Sequence, residues 1–201
     1  VNNQLATILG QLHLSRELLP EGHPVLGRIL RAEEATKRCA QTTKALLSFS
    51  HQSRPELKPL GLNAVVGETA DILDRLLGGR IRLALSLAPG LPPVAGDVER
   101  LQQVMVNLGL NALDAVREGG WVRVSCRPAD DPETVEIFID DSGPGVPPEI
   151  RERIFEPFFT TKAEGSGLGL PIVHAIVTQH GGTITVEDAP EGGARFALRI
   201  P

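Results

Sequence analysis

The chain has 201 residues, 41% hydrophobic and 22% charged, enough for one large or two small cored domains and too apolar for a disordered chain. Twenty basic against 25 acidic residues leave a net charge of −5, which argues against nucleic acid or an anionic membrane as the main partner. Two cysteines, Cys39 and Cys126, make neither a disulfide framework nor a zinc site and point to a reducing compartment, and no apolar run approaches the roughly 18 residues of a membrane helix.

Val1 follows no initiator Met and carries no signal-peptide pattern, so the chain reads as an excised piece. Its first fifty residues spell two helices. Leu5, Ile8, Leu9, Leu12 and Leu19 share one stripe, and Pro20-Glu21-Gly22-His23-Pro24 then breaks the helix. A second helix follows with Ile29, Ala32, Ala35, Cys39, Leu46 and Phe49 near its inner side. So short a connection predicts an antiparallel hairpin, which cannot bury both stripes alone; pairing with a second copy into a four-helix bundle is expected. Arg54-Pro55-Glu56-Leu57-Lys58-Pro59 reads as a linker, because each proline pushes its predecessor out of the helical region. The domains are therefore 1–54 and 55–201.

Beyond the linker, helices mix with alternating strands. Asn63 to Leu77 reads as a helix stopped by Gly78-Gly79. Period-two alternation marks strands at Ile81/Leu83/Leu85/Leu87, Val122/Val124/Cys126, Val135/Ile137/Ile139, Ile184/Val186 and Phe196/Leu198/Ile200. Two longer helices, about 97–117 and 168–180, fall between them. The predicted class is α+β: a two-helix hairpin, then an α/β sandwich of one mixed sheet with helices on a single face.

Four segments carry chemistry. On the 97–117 helix, Leu101, Val104, Leu108, Ala112 and Ala115 form the core stripe, with Asn107 and Asn111 one turn apart on its flank. Helix interiors disfavour Asn, so the pair is either a satisfied polar contact at a helix–sheet boundary or a set of hard oxygens facing a hydrated Mg²⁺. In Ile139-Asp140-Asp141-Ser142-Gly143-Pro144-Gly145 a strand runs into a glycine turn. Asp141 can accept a hydrogen bond there from an amine while the glycines admit a flat ring, although such turns are common. Gly165-Ser166-Gly167-Leu168-Gly169-Leu170-Pro171 opens a helix whose free N–H groups suit an anion. It is neither a dinucleotide fingerprint nor a P-loop. Between these motifs, Phe155-Glu156-Pro157-Phe158-Phe159-Thr160-Thr161-Lys162 reads as an anchored lid, its lysine either solvated or near a terminal phosphate.

In this order and spacing the four segments resemble the N, G1, F and G2 boxes of the sensor histidine kinase ATP-binding domain, of the GHKL (Bergerat-type) ATPase group. The tail His180-Gly181-Gly182 and Gly193-x-x-Phe196-x-Leu198 resembles that domain's closing strands. Val1-Asn2-Asn3-Gln4-Leu5 and Ala45-Leu46-Leu47-Ser48-Phe49-Ser50 resemble the dimerisation helices of the nitrogen-regulator-like subgroup. The resemblance implies a two-component kinase that transfers the γ-phosphate of ATP to a histidine and then to an aspartate of a response-regulator receiver domain. It implies ATP contacts through Asn107, Asn111, Asp141, Gly143, Gly145, Phe158, Thr161, Lys162, Gly165, Gly167, Leu168 and Gly169. Within that set Asn111 would coordinate Mg²⁺, and Asn107 and Lys162 would serve catalysis.

Asn3 falls at the family position that orients a water for the reverse, phosphatase reaction. Aligned so, the acceptor histidine lies two residues ahead of Val1, and this segment should bind ATP without being phosphorylated itself. His13, His23, His51, His174 and His180 read as structural or surface residues. Two other readings stand beside the kinase: a non-catalytic ATP sensor, and an ATPase of the same superfamily, whose members typically carry Glu where Asn107 stands. A cytoplasmic homodimer is expected, with no membrane contact by this segment and no nucleic acid partner.

Overall fold

The computed structural model describes residues 2–20, 22–36, 55–162 and 165–201. Cys39, Leu46, Phe49 and His51 lie outside the described residues, as do the side chains of Asn3 and Leu5.

Helix α1 spans Asn2–Glu17, and α2 is helical over its described residues 26–36; between them Gly22 takes a left-handed φ of 82°. His23 belongs to this turn, its Nδ1 accepting from the Val25 N–H at 3.2 Å. Arg16 reaches the buried Glu33 carboxylate at 3.3 Å, tying the helices near the turn. Of the stripe residues, Leu9, Leu12 and Leu19 are half-buried, Ile29 is buried, and Ile8 and Ala35 lie open in the single chain.

The segment read as a linker contains a strand. Lys58–Leu60 forms β1 and pairs antiparallel with β3, Val94–Gly96. Extended backbone suits a proline, and on a two-stranded ribbon its missing N–H costs little. Helix α3, Leu62–Leu77, ends in a left-handed Gly78 whose N–H returns to the Asp74 carbonyl, the stop its glycine predicts.

The main sheet holds β2 (Arg82–Leu87), β4 (Trp121–Pro128), β5 (Val135–Asp141), β7 (Ala194–Ile200) and β6 (Thr183–Asp188), in that spatial order. Only β2 and β4 run parallel; the other pairs are antiparallel, so the sheet is mixed as expected. Alternation sends Val122, Val124, Cys126, Val135, Ile137, Ile139, Phe196 and Leu198 to one face. There they pack under α3, α4 (Val98–Ala115) and α5 (Gly169–Gln179). The edge strand β2 is less covered, and its Leu85 is exposed. Burial pushes the Cys126 thiol up to about 12, leaving it an inert core residue. Helix α4 crosses α3 so closely that a methyl at Gly109 would collide with Leu73.

The opposite face is closed by charge. The Arg127 and Arg195 guanidiniums stand 4.5 and 4.7 Å from the Phe138 ring, leaving it 6% exposed. Arg195 also grips the buried Asp140 through Nε and Nη2 at 2.6 and 2.8 Å, and this pairing raises the guanidinium pKa further.

Candidate functional site

Helix α4 begins at Asp97, whose carboxylate accepts from the Arg100 N–H at 3.2 Å and caps the first turn. The stripe Leu101, Val104, Leu108 and Ala112 is buried, which leaves Asn107 and Asn111 half-buried on its flank. With Asp114 they form one wall of a cleft of about 740 Å³. The other wall comes from the 154–172 segment and includes Thr161, Lys162, Gly165, Gly167 and Gly169.

The two asparagines are not a pair satisfied by the fold. The Nδ2 atoms of Asn107 and Asn111 are buried without a partner, and no hydrogen bond from the described residues reaches either amide. Buried amides without partners are uncommon and ask for a ligand from outside the chain. Their oxygens are the hard donors a hydrated Mg²⁺ takes. No group of three His, Cys, Asp or Glu among the described residues could hold a metal.

The lid and the glycine loop are clipped to each other. Phe158 adopts φ 68°, a region costly for a non-glycine residue, and donates its N–H to the Gly167 carbonyl at 2.9 Å. Gly167 itself has φ 64°, and a methyl there would run into the Phe158 backbone. Of the three phenylalanines expected to anchor the lid, only two do. Phe155 packs against His174, with ring centroids 5.7 Å apart, and Phe159 lies under the Arg153 guanidinium at 4.6 Å. Phe158 is 62% exposed, because its left-handed backbone turns the side chain outward. Lys162 reaches across the cleft mouth, its Nζ 2.7 Å from the Asp114 carboxylate.

Helix α5 starts where the glycine loop ends. Helix geometry leaves the Gly169 and Leu170 N–H groups without intrahelical acceptors, and Pro171 has none to leave. Leu168 sends its side chain into the core, so only its backbone adjoins the loop, and its N–H contacts the Ser166 hydroxyl at 3.4 Å.

Asp141, Gly143 and Gly145 do not line the cleft; they stand beyond its end. A Cβ on Gly143 would come 3.1 Å from that of Ala115, the residue after Asp114 on α4. Asp141 is 3% exposed, and its Oδ1 accepts from the Gly143 N–H at 2.8 Å and the Ala194 N–H at 3.3 Å. Both bonds fall on one oxygen, which leaves Oδ2 available. Burial holds this carboxyl above the usual range, aided by neighbouring Asp140 and opposed by the two N–H donors.

Three supporting roles escaped the sequence reading, which placed Gly193 only in the closing strands. Asp114 follows Asn111 by three positions on the same helix face, a spacing that could have revealed it. Gly193, at φ 94°, passes so close that any side chain would overlap the Asp141 carbonyl. Arg151 binds the Val146 carbonyl at 2.9 Å and Asp188 at 2.6 Å, fastening the glycine turn to β6.

Residues 96–201 match the family described as histidine kinase-, DNA gyrase B-, and HSP90-like ATPase. Over its whole length the chain is 36% identical to the sensor histidine kinase ZraS of Escherichia coli O157:H7, spanning 44% of that protein. Its fold is similar to that of full-length ShkA in complex with AMPPNP, with a TM-score of 0.75 at 26% identity, covering all of this chain and 46% of that one. The histidine kinase ThkA in complex with the response regulator protein TrrA gives a TM-score of 0.75 at 27% identity, covering all of this chain and 58% of that one. The chain belongs to the histidine kinase-, DNA gyrase B-, and HSP90-like ATPase family.

Proposed function

We propose that this member of the ATPase family is the kinase core of a two-component sensor: it binds Mg-ATP in the cleft and delivers the γ-phosphoryl group to a histidine on the helical hairpin, from which it passes to a response-regulator aspartate. The observation that carries the reading is the pair of unpartnered amides, Asn107 and Asn111, facing the free first-turn N–H groups of α5 across one cleft. Sensor kinases as sequence relatives and the AMPPNP and response-regulator complexes among its structural relatives support it.

In this reading Asp141 Oδ2 accepts from the adenine 6-amino group and rejects guanine, whose 6-oxo group cannot donate. Gly143 and Gly145 let the ring lie against the main chain. The Gly169 N–H is free for the phosphates, and those of Gly165, Gly167 and Leu168 turn to them as the lid closes, Gly165 giving up its bond to the Lys162 carbonyl and Leu168 its contact with Ser166; Thr161 and Phe158 belong to that lid. Bound Mg²⁺, held by Asn111 with Asn107 beside it, would neutralise phosphate charge. Lys162 leaves Asp114 for the γ-phosphate. The imidazole nitrogen attacks in line, an N–P bond forms as the bond to the β–γ bridging oxygen breaks, ADP departs and the imidazole sheds its proton.

Residues 1–54 serve as the pairing hairpin of a cytoplasmic homodimer, and 55–201 as the nucleotide-binding domain. Asn3 orients water when the phosphoryl group is removed again. A plain hydrolase is the weaker reading: such members of the superfamily typically carry a water-activating Glu where Asn107 stands, and a side-chain amide cannot take the water's proton.

The test is titration with an ATP analogue, followed by transfer of labelled γ-phosphate in this chain and in one extended upstream through a His-Asp pair. Binding by both and acid-labile label on the extended chain alone are expected. Binding without label on either indicates a nucleotide sensor, release of phosphate without label an ATPase, and no binding overturns the reading altogether.

A further inference from the structure

The side chain of His180 plays no part in the chemistry above, yet it is 4% exposed and both ring nitrogens are engaged. It occupies the C-terminal cap of α5, where Nδ1 lies 2.8 Å from the Ile176 carbonyl of its own helix. Its Nε2 accepts from the Asp97 backbone N–H at 3.0 Å, a bond to a residue 83 positions away. The two bonds define the imidazole: neutral, with its proton on Nδ1 and its lone pair on Nε2. Asp97 in turn caps α4 and accepts from the Glu56 N–H at 3.3 Å. One ring thus joins the last turn of α5, whose Ile176 carbonyl also accepts the His180 backbone N–H at 3.2 Å, to the residue that caps α4.

The consequence follows from helix direction. The start of α4 meets the end of α5, so the helices run antiparallel, and the cleft lies at the opposite end of both. From Asp97 to Asn111 is about 21 Å along the axis, and from His180 back to Gly169 about 16 Å, at roughly 1.5 Å per residue. On arms of that length, a rotation of about 3° at the His180 end displaces the cleft walls by about 1 Å. Misplacement of about 1 Å is enough to cost a reacting site on the order of a hundredfold.

We infer that His180 is a positioning residue for the nucleotide cleft, a clamp that sets the spacing between the amides of α4 and the N–H groups of α5 from the far end of both helices. The inference rests on the proposed nucleotide site for its functional readout, but not for its structural one.

Three substitutions separate the clamp from simple packing. His180→Phe keeps a ring and removes both bonds. His180→Asn keeps an oxygen and a donor near the Nδ1 position only, whereas His180→Gln offers an acceptor at the reach of Nε2. Isothermal titration of each folded variant with an ATP analogue should give a Kd weakened tenfold or more for Phe and Asn and within threefold of the parent for Gln.

Amide exchange followed by mass spectrometry supplies the nucleotide-free measurement. In the Phe variant, faster exchange is expected both around Asp97 and at Gly169–Leu170, the remote cleft end. Faster exchange confined to the surroundings of residues 97 and 180, or a Phe variant binding as tightly as the parent, overturns the clamp. So does a Gln variant no better than Phe. A parent chain that binds no analogue defeats the proposed function alone; the exchange pattern then decides the clamp by itself.

Discussion

Asp141→Asn is the sharpest test of the proposed purine end of the site, because the substitution changes one atom whose surroundings are known. Oδ1 already receives the Gly143 and Ala194 N–H groups, and an amide oxygen can take both. The amide nitrogen must then occupy the Oδ2 position, where it presents a donor to the donor of the adenine. The lost interaction is a hydrogen bond to a charged acceptor, about 1.5–3 kcal/mol, which is about a 10- to 150-fold loss of affinity. The fold should not suffer, since burial already disfavours charge at this position and the asparagine carries none.

Calorimetric titration with ATP and inosine triphosphate analogues reads both consequences: the variant loses ATP affinity and its preference for the 6-amino base together. An unchanged Kd, or an undiminished preference, refutes the assignment. The pH dependence has a definite sign as well. Because the native carboxyl is held above its ordinary 3.8, the folded chain takes up this proton more readily than the unfolded one. Between 3.8 and the raised value, this group therefore lowers stability as pH rises, and protonating it on acidification does not unfold the protein. Nucleotide affinity moves the other way, falling as pH drops through the raised value, while the Asn variant is flat over that range.

Asp114→Asn frees Lys162 and removes a negative charge from the phosphate cleft, so ATP should bind severalfold more tightly, most clearly at low salt. At roughly 8 Å, one unit charge is worth about 0.5–2 kcal/mol between a watery and a protein-edge dielectric, and weaker binding in the titration would show instead that Asp114 helps to hold the cation. Gly167→Ala forces a methyl into the Phe158 backbone and should abolish the clip between lid and glycine loop; a tenfold loss of nucleotide affinity with an unchanged far-ultraviolet spectrum is expected, and wild-type affinity counts against the clip. Arg195→Leu leaves Asp140 buried and unpaired at about 3–5 kcal/mol, which thermal unfolding should register as a drop of roughly 6–20 °C, and a smaller shift would mean that water reaches the carboxylate.

Periodicity carried most of the architecture. The α4 stripe, the Gly78 stop and the strands of the main sheet repeat often enough for local spacing to declare them. Where an element is too short to show a period, that signal fails. Lys58–Leu60 offers three residues with a proline at the centre, and Val94–Gly96 offers three more, so their pairing was invisible until the chain brought them together. The parallel pairing of β2 with β4 is equally silent in the sequence, because neighbours in a sheet are chosen by crossover and not by local composition.

The site divides along the same line. Asn107, Asn111 and the glycines of 165–169 sit within short segments, and their residue types alone suggested a polar ligand. What holds them could not be read that way: the Lys162–Asp114 pair spans 48 positions, Ala194 reaches Asp141 across 53, and His180 reaches Asp97 across 83. The outward turn of Phe158 escaped for a different reason, since nothing in Phe-Phe-Thr declares a left-handed backbone; it follows from the hydrogen bond to Gly167. The groups that would touch a ligand are thus legible as local motifs, whereas the groups that aim them are long-range contacts. Substitutions in the second class should therefore alter how well the cleft binds without altering what it recognises. Asp141→Asn should do the reverse, erasing the adenine preference while leaving the amides and N–H groups of the phosphate end where they are.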